Sequence, residues 1–153
     1  MSDGPSQTLH ATTVAINGRA ILLTGPSGSG KSDLALRLIS GGAVLVSDDY
    51  TVVTRDETTL IATPPASIAG KMEVRGIGIV DFDYCRSAPV ALILDLTAPV
   101  ERLPQACESK EIAGISIPMC AIAPFEASAP AKVALALKAF GLATGANGGA
   151  AKS

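Results

Sequence analysis

Short apolar runs divided by turn-forming residues fill most of the chain, and only two stretches carry the spacing of a helix. Leu9–Ile16 and Arg19–Thr24 flank Asn17-Gly18. Both turn residues tolerate positive φ, so the pair predicts an antiparallel hairpin. The second strand runs straight into a glycine-rich loop. From Lys31 to Ser40, Leu34, Leu38 and Ile39 share one face with Leu36 nearby, which predicts a helix stopped by Gly41-Gly42.

The pattern then returns to strands. Ala43–Val46 reads as a short buried strand ending at Ser47-Asp48-Asp49, and Tyr50–Thr54 with Thr58–Ala62 as a second hairpin across Arg55-Asp56-Glu57. Pro64-Pro65 interrupts the chain, and Lys71–Asp81 is a glycine-bearing segment. Val90–Leu96 and Ile115–Ile122 complete the predicted strands. The alanine-rich Pro130–Leu142 reads as the last helix, and residues 144–153 as a frayed Gly/Ala tail. Strands outnumber helices without regular alternation, so the expected fold class is α/β with a mixed sheet, one domain over residues 1–143.

Composition narrows this picture. The 153 residues are 48% hydrophobic and 17% charged, with no Trp and only 3% aromatics, so the core must be aliphatic. The positive mean hydropathy suggests apolar surface for self-association. A net charge of −2 without any Lys/Arg run argues against a nucleic-acid partner. No apolar run is long enough to span a bilayer, and the N-terminus lacks a basic-then-apolar signal pattern. A cytoplasmic protein without membrane insertion is expected. Cys85, Cys107 and Cys120 are odd in number and widely spaced, which implies free thiols rather than a disulfide framework or metal site.

The chemistry begins at Gly25-Pro26-Ser27-Gly28-Ser29-Gly30-Lys31-Ser32, a full Walker A pattern between an apolar strand and a helix. Its glycines let backbone N–H groups turn inward as an anion nest, and the helix N-terminus adds partial positive charge. Lys31 would place an ammonium on the β- and γ-phosphates, and Ser32 a hydroxyl on Mg²⁺. GTPases, ATPases and kinases share this loop, so it fixes a nucleotide and not a reaction.

Asp48-Asp49 supplies the carboxylates that the loop lacks. Carboxyl ends of strands are where α/β sites form. One Asp could hold Mg²⁺ while the other accepts the proton of an attacking hydroxyl. Neighbouring side chains on a strand point to opposite faces, which leaves only one in reach of the phosphates. Further on, Glu73-Val74-Arg75-Gly76-Ile77-Gly78 joins an acid, a base and two flexible glycines. Glu73 and Arg75 share a face if the segment is extended. An acid there can complete a Mg²⁺ shell, or the two can form a surface ion pair beside a bulge.

In sum the chain resembles the HPr kinase/phosphorylase family. The matching residues are Gly25 to Ser32, Ala35-Leu36-Arg37-Leu38-Ile39, Leu45-Val46-Ser47-Asp48-Asp49, Pro64-Pro65, Met72 to Asp81 and Glu101-Arg102-Leu103. The stretch from Met72 to Asp81 is the most specific of these. The resemblance implies a P-loop fold related to phosphoenolpyruvate carboxykinase. It implies an ATP- and Mg²⁺-dependent kinase acting on a serine of the phosphocarrier HPr, often hexameric, with reversal by phosphorolysis to pyrophosphate. It further implies that Ser32 and Glu73 bind Mg²⁺ and that Asp49 is the base, supported by Asp48. His10 would be a catalytic histidine, and Arg102 a catalytic arginine at the transferred phosphoryl. The resemblance would be to a short form of the family, one expected to lack the N-terminal domain. The family's basic loop is replaced by the acidic Ile122-Ala123-Pro124-Phe125-Glu126-Ala127-Ser128, so the kinase direction is expected to outlast the reverse one.

Overall fold

The computed structural model describes residues 6–104 and 107–143. The expected tail at 144–153 lies outside the described residues. Eleven strands and two α-helices are found among the described residues: β1 (Ser6–Leu9), β2 (Ala11–Ile16), β3 (Arg19–Thr24), α1 (Lys31–Ser40), β4 (Val44–Ser47), β5 (Thr51–Asp56), β6 (Thr59–Thr63), β7 (Lys71–Val74), β8 (Gly78–Asp81), β9 (Ala88–Asp95), β10 (Glu108–Ile112), β11 (Ile115–Ala121) and α2 (Ala129–Phe140). The main sheet runs β1-β5-β6-β9-β3-β2-β4, and the β10–β11 hairpin joins it at β9. β3 and β11 both lie parallel to β9, while the remaining pairs of this sheet are antiparallel. The sheet is therefore mixed, as expected.

β3 and β9 form its spine and are buried on both faces. That explains why both read as continuous apolar runs rather than alternating ones. The side chains of β3 divide by period two, while β9 carries an extra residue, Ala91, that shifts its alternation by one. Ile21, Leu23, Leu92 and Leu94 pack with Leu34, Ala35 and Leu38 of α1 and Val133 and Leu137 of α2. Ala20, Leu22, Val90 and Ile93 face a second core closed by Val53, Leu60 and Ala62 of the β5–β6 hairpin and by Ile117 of β11. One face is thus covered by helices, the other by the sheet curling over itself. Each fully buried Leu or Ile contributes about 1.5–3 kcal/mol to that closure.

The Asn17-Gly18 hairpin forms as expected, with φ of 51° and 79° at the turn. Three details differ from the pattern-based expectation. The strand anticipated at Leu9–Ile16 is broken at His10, so that β1 pairs with β5 while β2 pairs with β3 and β4. The polar strand β10, Glu-Ser-Lys-Glu-Ile, has four exposed residues and carries no apolar signal. It is held by its ladder to β11 across the Ala113-Gly114 turn. Lys71–Asp81 closes into the separate β7–β8 hairpin, anchored by Met72, which is buried in the helical core.

Candidate functional site

The glycine loop leaves the end of β3 and enters α1 beside β9. Gly30 caps the helix at φ 99°, with no side chain donating to or accepting from the cap. The amides of the first turn therefore stay available to an anion. A Cβ at Gly30 would stand 2.9 Å from the Phe125 ring, and one at Gly25 would stand 2.5 Å from Ser29 Oγ, so the loop is folded too tightly for larger residues. Ser29 Oγ is buried within it without a hydrogen-bond partner among the described residues.

Lys31 is only 5% exposed. Its Nζ donates to the carbonyls of Gly25 (2.7 Å) and Pro26 (3.1 Å), which lays the ammonium across its own loop. Ser32 Oγ donates to Asp48 Oδ1 at 2.5 Å. The same oxygen accepts from Thr12 Oγ1 at 3.1 Å, and Oδ2 receives the Glu73 amide at 3.4 Å. Asp48, 7% exposed, thus ties β2, α1 and β7 together at one carboxylate. The Asp49 amide donates to Thr12 Oγ1 at 3.0 Å, so this hydroxyl bridges both aspartates.

Strand β4 ends at Ser47, and Asp49 takes the left-handed conformation at φ 70°. The alternation expected of a continuing strand does not apply. Both aspartates line the same cleft. Asp49 is turned toward His10, whose Nε2 lies 3.3 Å from Asp49 Oδ1. A carboxylate only accepts, so the imidazole N–H is the donor. The His10 ring stacks on Tyr50 with centroids 5.2 Å apart. The break in the first strand is what turns His10 to this position.

The cleft has a volume of about 700 Å³. Ser27, Gly28, Gly30, Lys31 and Ser32 form one wall, Asp48 and Asp49 the floor, and Glu73, Val74 and Arg75 of the β7–β8 hairpin the opposite wall. Glu73 and Arg75 are exposed and both face the cleft; the structure shows no ion pair between them. Phe125, 69% exposed, closes one side. Its segment is held by Arg37, which donates to the carbonyls of Pro124 and Glu126. Arg102 is exposed on the loop between β9 and β10 and does not line the cleft.

Sequence reasoning passed over Thr12 and Phe125. Thr12 had a signal: it is one of two threonines inside an otherwise apolar strand, and a buried hydroxyl needs a partner. Phe125 had none, since only the fold brings it against Gly30. Among the described residues no three His, Cys, Asp or Glu side chains gather into a metal cluster. The cleft offers instead the hydroxyls of Ser27 and Ser32 and separate carboxylates. That oxygen-only set fits a cation such as Mg²⁺, which takes few protein ligands and completes its shell with water and phosphate.

A mixed α/β sheet feeding a glycine loop, with carboxylates at the floor of the adjoining cleft, defines a protein built to hold an anionic ligand at a helix N-terminus. The chain belongs to the HPr Serine kinase C-terminal domain family, which matches residues 4–137. It is 35% identical over 131 residues to the HPr kinase/phosphorylase of Limosilactobacillus reuteri (strain DSM 20016), covering 77% of this chain and 41% of that protein. To the HPr kinase/phosphorylase of Clostridium botulinum (strain Eklund 17B / Type B) it is 46% identical over 77 residues, 50% of this chain and 25% of that one. The chain thus spans less than half the length of these relatives. The structure of the Hpr(Ser) kinase/phosphatase from Coxiella burnetii superposes with a TM-score of 0.75 at 28% identity, covering 86% of this chain and 88% of that one.

Proposed function

We propose that the chain is an ATP- and Mg²⁺-dependent kinase that phosphorylates a serine of HPr, on a P-loop core of the phosphoenolpyruvate carboxykinase type. The observation that carries this reading is the placement of Asp49 at the floor of the cleft lined by Lys31 and Ser32, with His10 against its carboxylate. Family membership supplies the substrate class.

The glycine-loop amides and the N-terminus of α1 would hold the β- and γ-phosphates, and Lys31 would exchange its bonds to the Gly25 and Pro26 carbonyls for phosphate oxygens. Ser32 and Glu73 would hold Mg²⁺, with Asp48 orienting the Ser32 hydroxyl. When bound, the ion neutralises charge on the phosphates. The incoming serine hydroxyl attacks the γ-phosphorus, the bond to the oxygen of the ADP leaving group breaks, and the serine proton passes to the Asp49 carboxylate. His10 would hold that carboxylate in position. Arg102, exposed outside the cleft, would act only if its loop moved onto the transferred phosphoryl.

The Pro124–Ser128 segment stands where the basic loop of the family is expected. It carries Phe125 against Gly30 and Glu126 paired with Lys132. The segment carries no cation of its own, and the two that reach it, Arg37 and Lys132, are engaged by its carbonyls and by Glu126, so phosphorolysis should be much slower than phosphorylation. A cytoplasmic location follows from the need for ATP and HPr, and among the described residues no helix is long and apolar enough to cross a membrane. Assembly of identical chains, a hexamer, belongs to this reading by family resemblance.

The test is incubation of the purified chain with HPr, Mg²⁺ and labelled ATP, then addition of phosphate. Label on an HPr serine, with slow pyrophosphate release on reversal, is expected. Label that reaches a metabolite panel but not HPr would overturn the substrate. Nucleotide binding without any transfer would leave a sensor and overturn the kinase reading.

A further inference from the structure

Two of the three cysteines, far apart in sequence, meet on the β10–β11 hairpin. Glu108 pairs with Met119, so the antiparallel register places Cys107 opposite Cys120 one step further out. Opposed Cα atoms in such a ladder lie about 4.5–5.5 Å apart. A disulfide needs about 4.4–6.8 Å, so closure requires no movement of the backbone. The two Sγ atoms are already 3.2 Å apart. Cys107 Sγ also lies 3.3 Å from the Met119 carbonyl and can donate its S–H there, which leaves the Cys120 S–H to donate to Cys107 Sγ. Both residues are half-buried rather than sealed in the core, so a small reagent can reach them.

We propose that Cys107 and Cys120 form a redox modification site, a cross-strand dithiol that small-molecule disulfides convert to an intramolecular disulfide.

The two thiols divide the chemistry between them. The Cys120 thiol is pushed up to about 12, first by burial and then by its hydrogen bond to Cys107 and by Cys107's charge. Cys120 holds its proton and is therefore the later of the two to react, which leaves Cys107 as the attacking sulfur. Its thiolate attacks one sulfur of oxidised glutathione, forming a mixed disulfide and releasing one glutathione thiolate. Cys120 then loses its proton and attacks the Cys107 sulfur, expelling the second glutathione. Two protein thiols are oxidised, one glutathione disulfide is reduced, and the two protons end on the released glutathiones. Once Cys107 is in the mixed disulfide, its charge no longer opposes ionisation of Cys120.

The bond would clamp the start of β10, at the end of the loop that bears Arg102, onto β11. That strand leads through Ile122 to Phe125 at the glycine loop. Cys85 is a built-in control, because its Sγ donates to the Ser87 carbonyl and pairs with no other thiol among the described residues.

The experiment is oxidation of the purified chain with oxidised glutathione, followed by denaturation, alkylation and peptide mapping. The expected product is a Cys107–Cys120 cross-linked peptide lighter by two hydrogens than the reduced pair, with Cys85 outside the cross-link. In the Cys120→Ser variant the mixed disulfide should persist on Cys107 instead. A wild-type chain that keeps glutathione on Cys107, leaves both thiols free to alkylation while Cys85 reacts, or cross-links through Cys85 would overturn the proposal.

Discussion

The two walls of the cleft are made differently. The inner wall, taken with the floor, is held at its charged groups: buried Lys31 spans its own loop, and Asp48 gathers the Ser32 hydroxyl, the Thr12 hydroxyl and the Glu73 amide at one carboxylate. The outer wall is a two-stranded hairpin outside the main sheet, with Glu73 and Arg75 exposed and Ile77 and Ile79 turned to solvent. The inner wall is preorganised, so charge can develop there without rearrangement. The outer wall is anchored in the helical core by Met72, with Val74 and Phe82 against it, while the exposed Glu73 and Arg75 side chains face what enters. Asp49 stands between the two, backed by the inner wall through its amide and open to the cleft through its carboxylate.

That division can be tested. The largest effect is expected from Asp49→Asn. Transfer to HPr should fall by about 10²–10⁴-fold, the range for loss of a general base, with nucleotide affinity nearly unchanged. An equal fall in both, by kinetics and calorimetry, would place Asp49 on the inner wall. Thr12→Val removes the bridging hydroxyl and should lower stability by about 1–3 kcal/mol in urea unfolding, since a buried carboxylate and an amide both lose a partner. Unchanged stability would mean that water replaces the bridge.

A smaller change is expected on the outer wall. Glu73→Gln should raise the Mg²⁺ concentration needed for half-maximal activity on the order of tenfold, the lower end for a perturbed metal site, with thermal stability intact. A fall in stability would show that the hairpin is part of the rigid frame. The smallest effect concerns Cys120, which does not line the cleft. Its pKa is raised from 9.0 to about 12 in the folded chain. Its contribution is therefore full below pH 9 and lost as pH rises toward 12, because the folded state holds the proton longer. Urea midpoints measured up the alkaline limb should decline less steeply in Cys120→Ser than in the parent chain.

The inner wall was legible because each of its parts has a local cause. A glycine loop between an apolar strand and a helix permits few structures, and Asp48-Asp49 at a strand end points to the same edge of the sheet. The position of His10 was not legible from pattern. It depends on β1 leaving the hairpin to pair with β5, a long-range choice that the alternation of Leu9–Ile16 does not encode. β10 escaped for a related reason: an exposed polar strand has no hydrophobic period, and only its partner defines it. The two cysteines were read as unrelated because 13 positions of sequence hide a direct opposition across a tight turn. Glu73 and Arg75 stood out by spacing, which left a Mg²⁺ shell and a surface ion pair both open, and only family resemblance gave Glu73 its role.

Met72 gives the outer wall a particular fragility. Period-two alternation sends this side chain into the helical core and its neighbour Glu73 toward the cleft, so one short strand serves as both peg and pointer. The two roles cannot vary separately. Trimming the peg, as in Met72→Ala, would swing the pointer before it unfolded the domain. Damage inside the core would then surface as an altered demand for the cation, in a protein that is still folded though less stable.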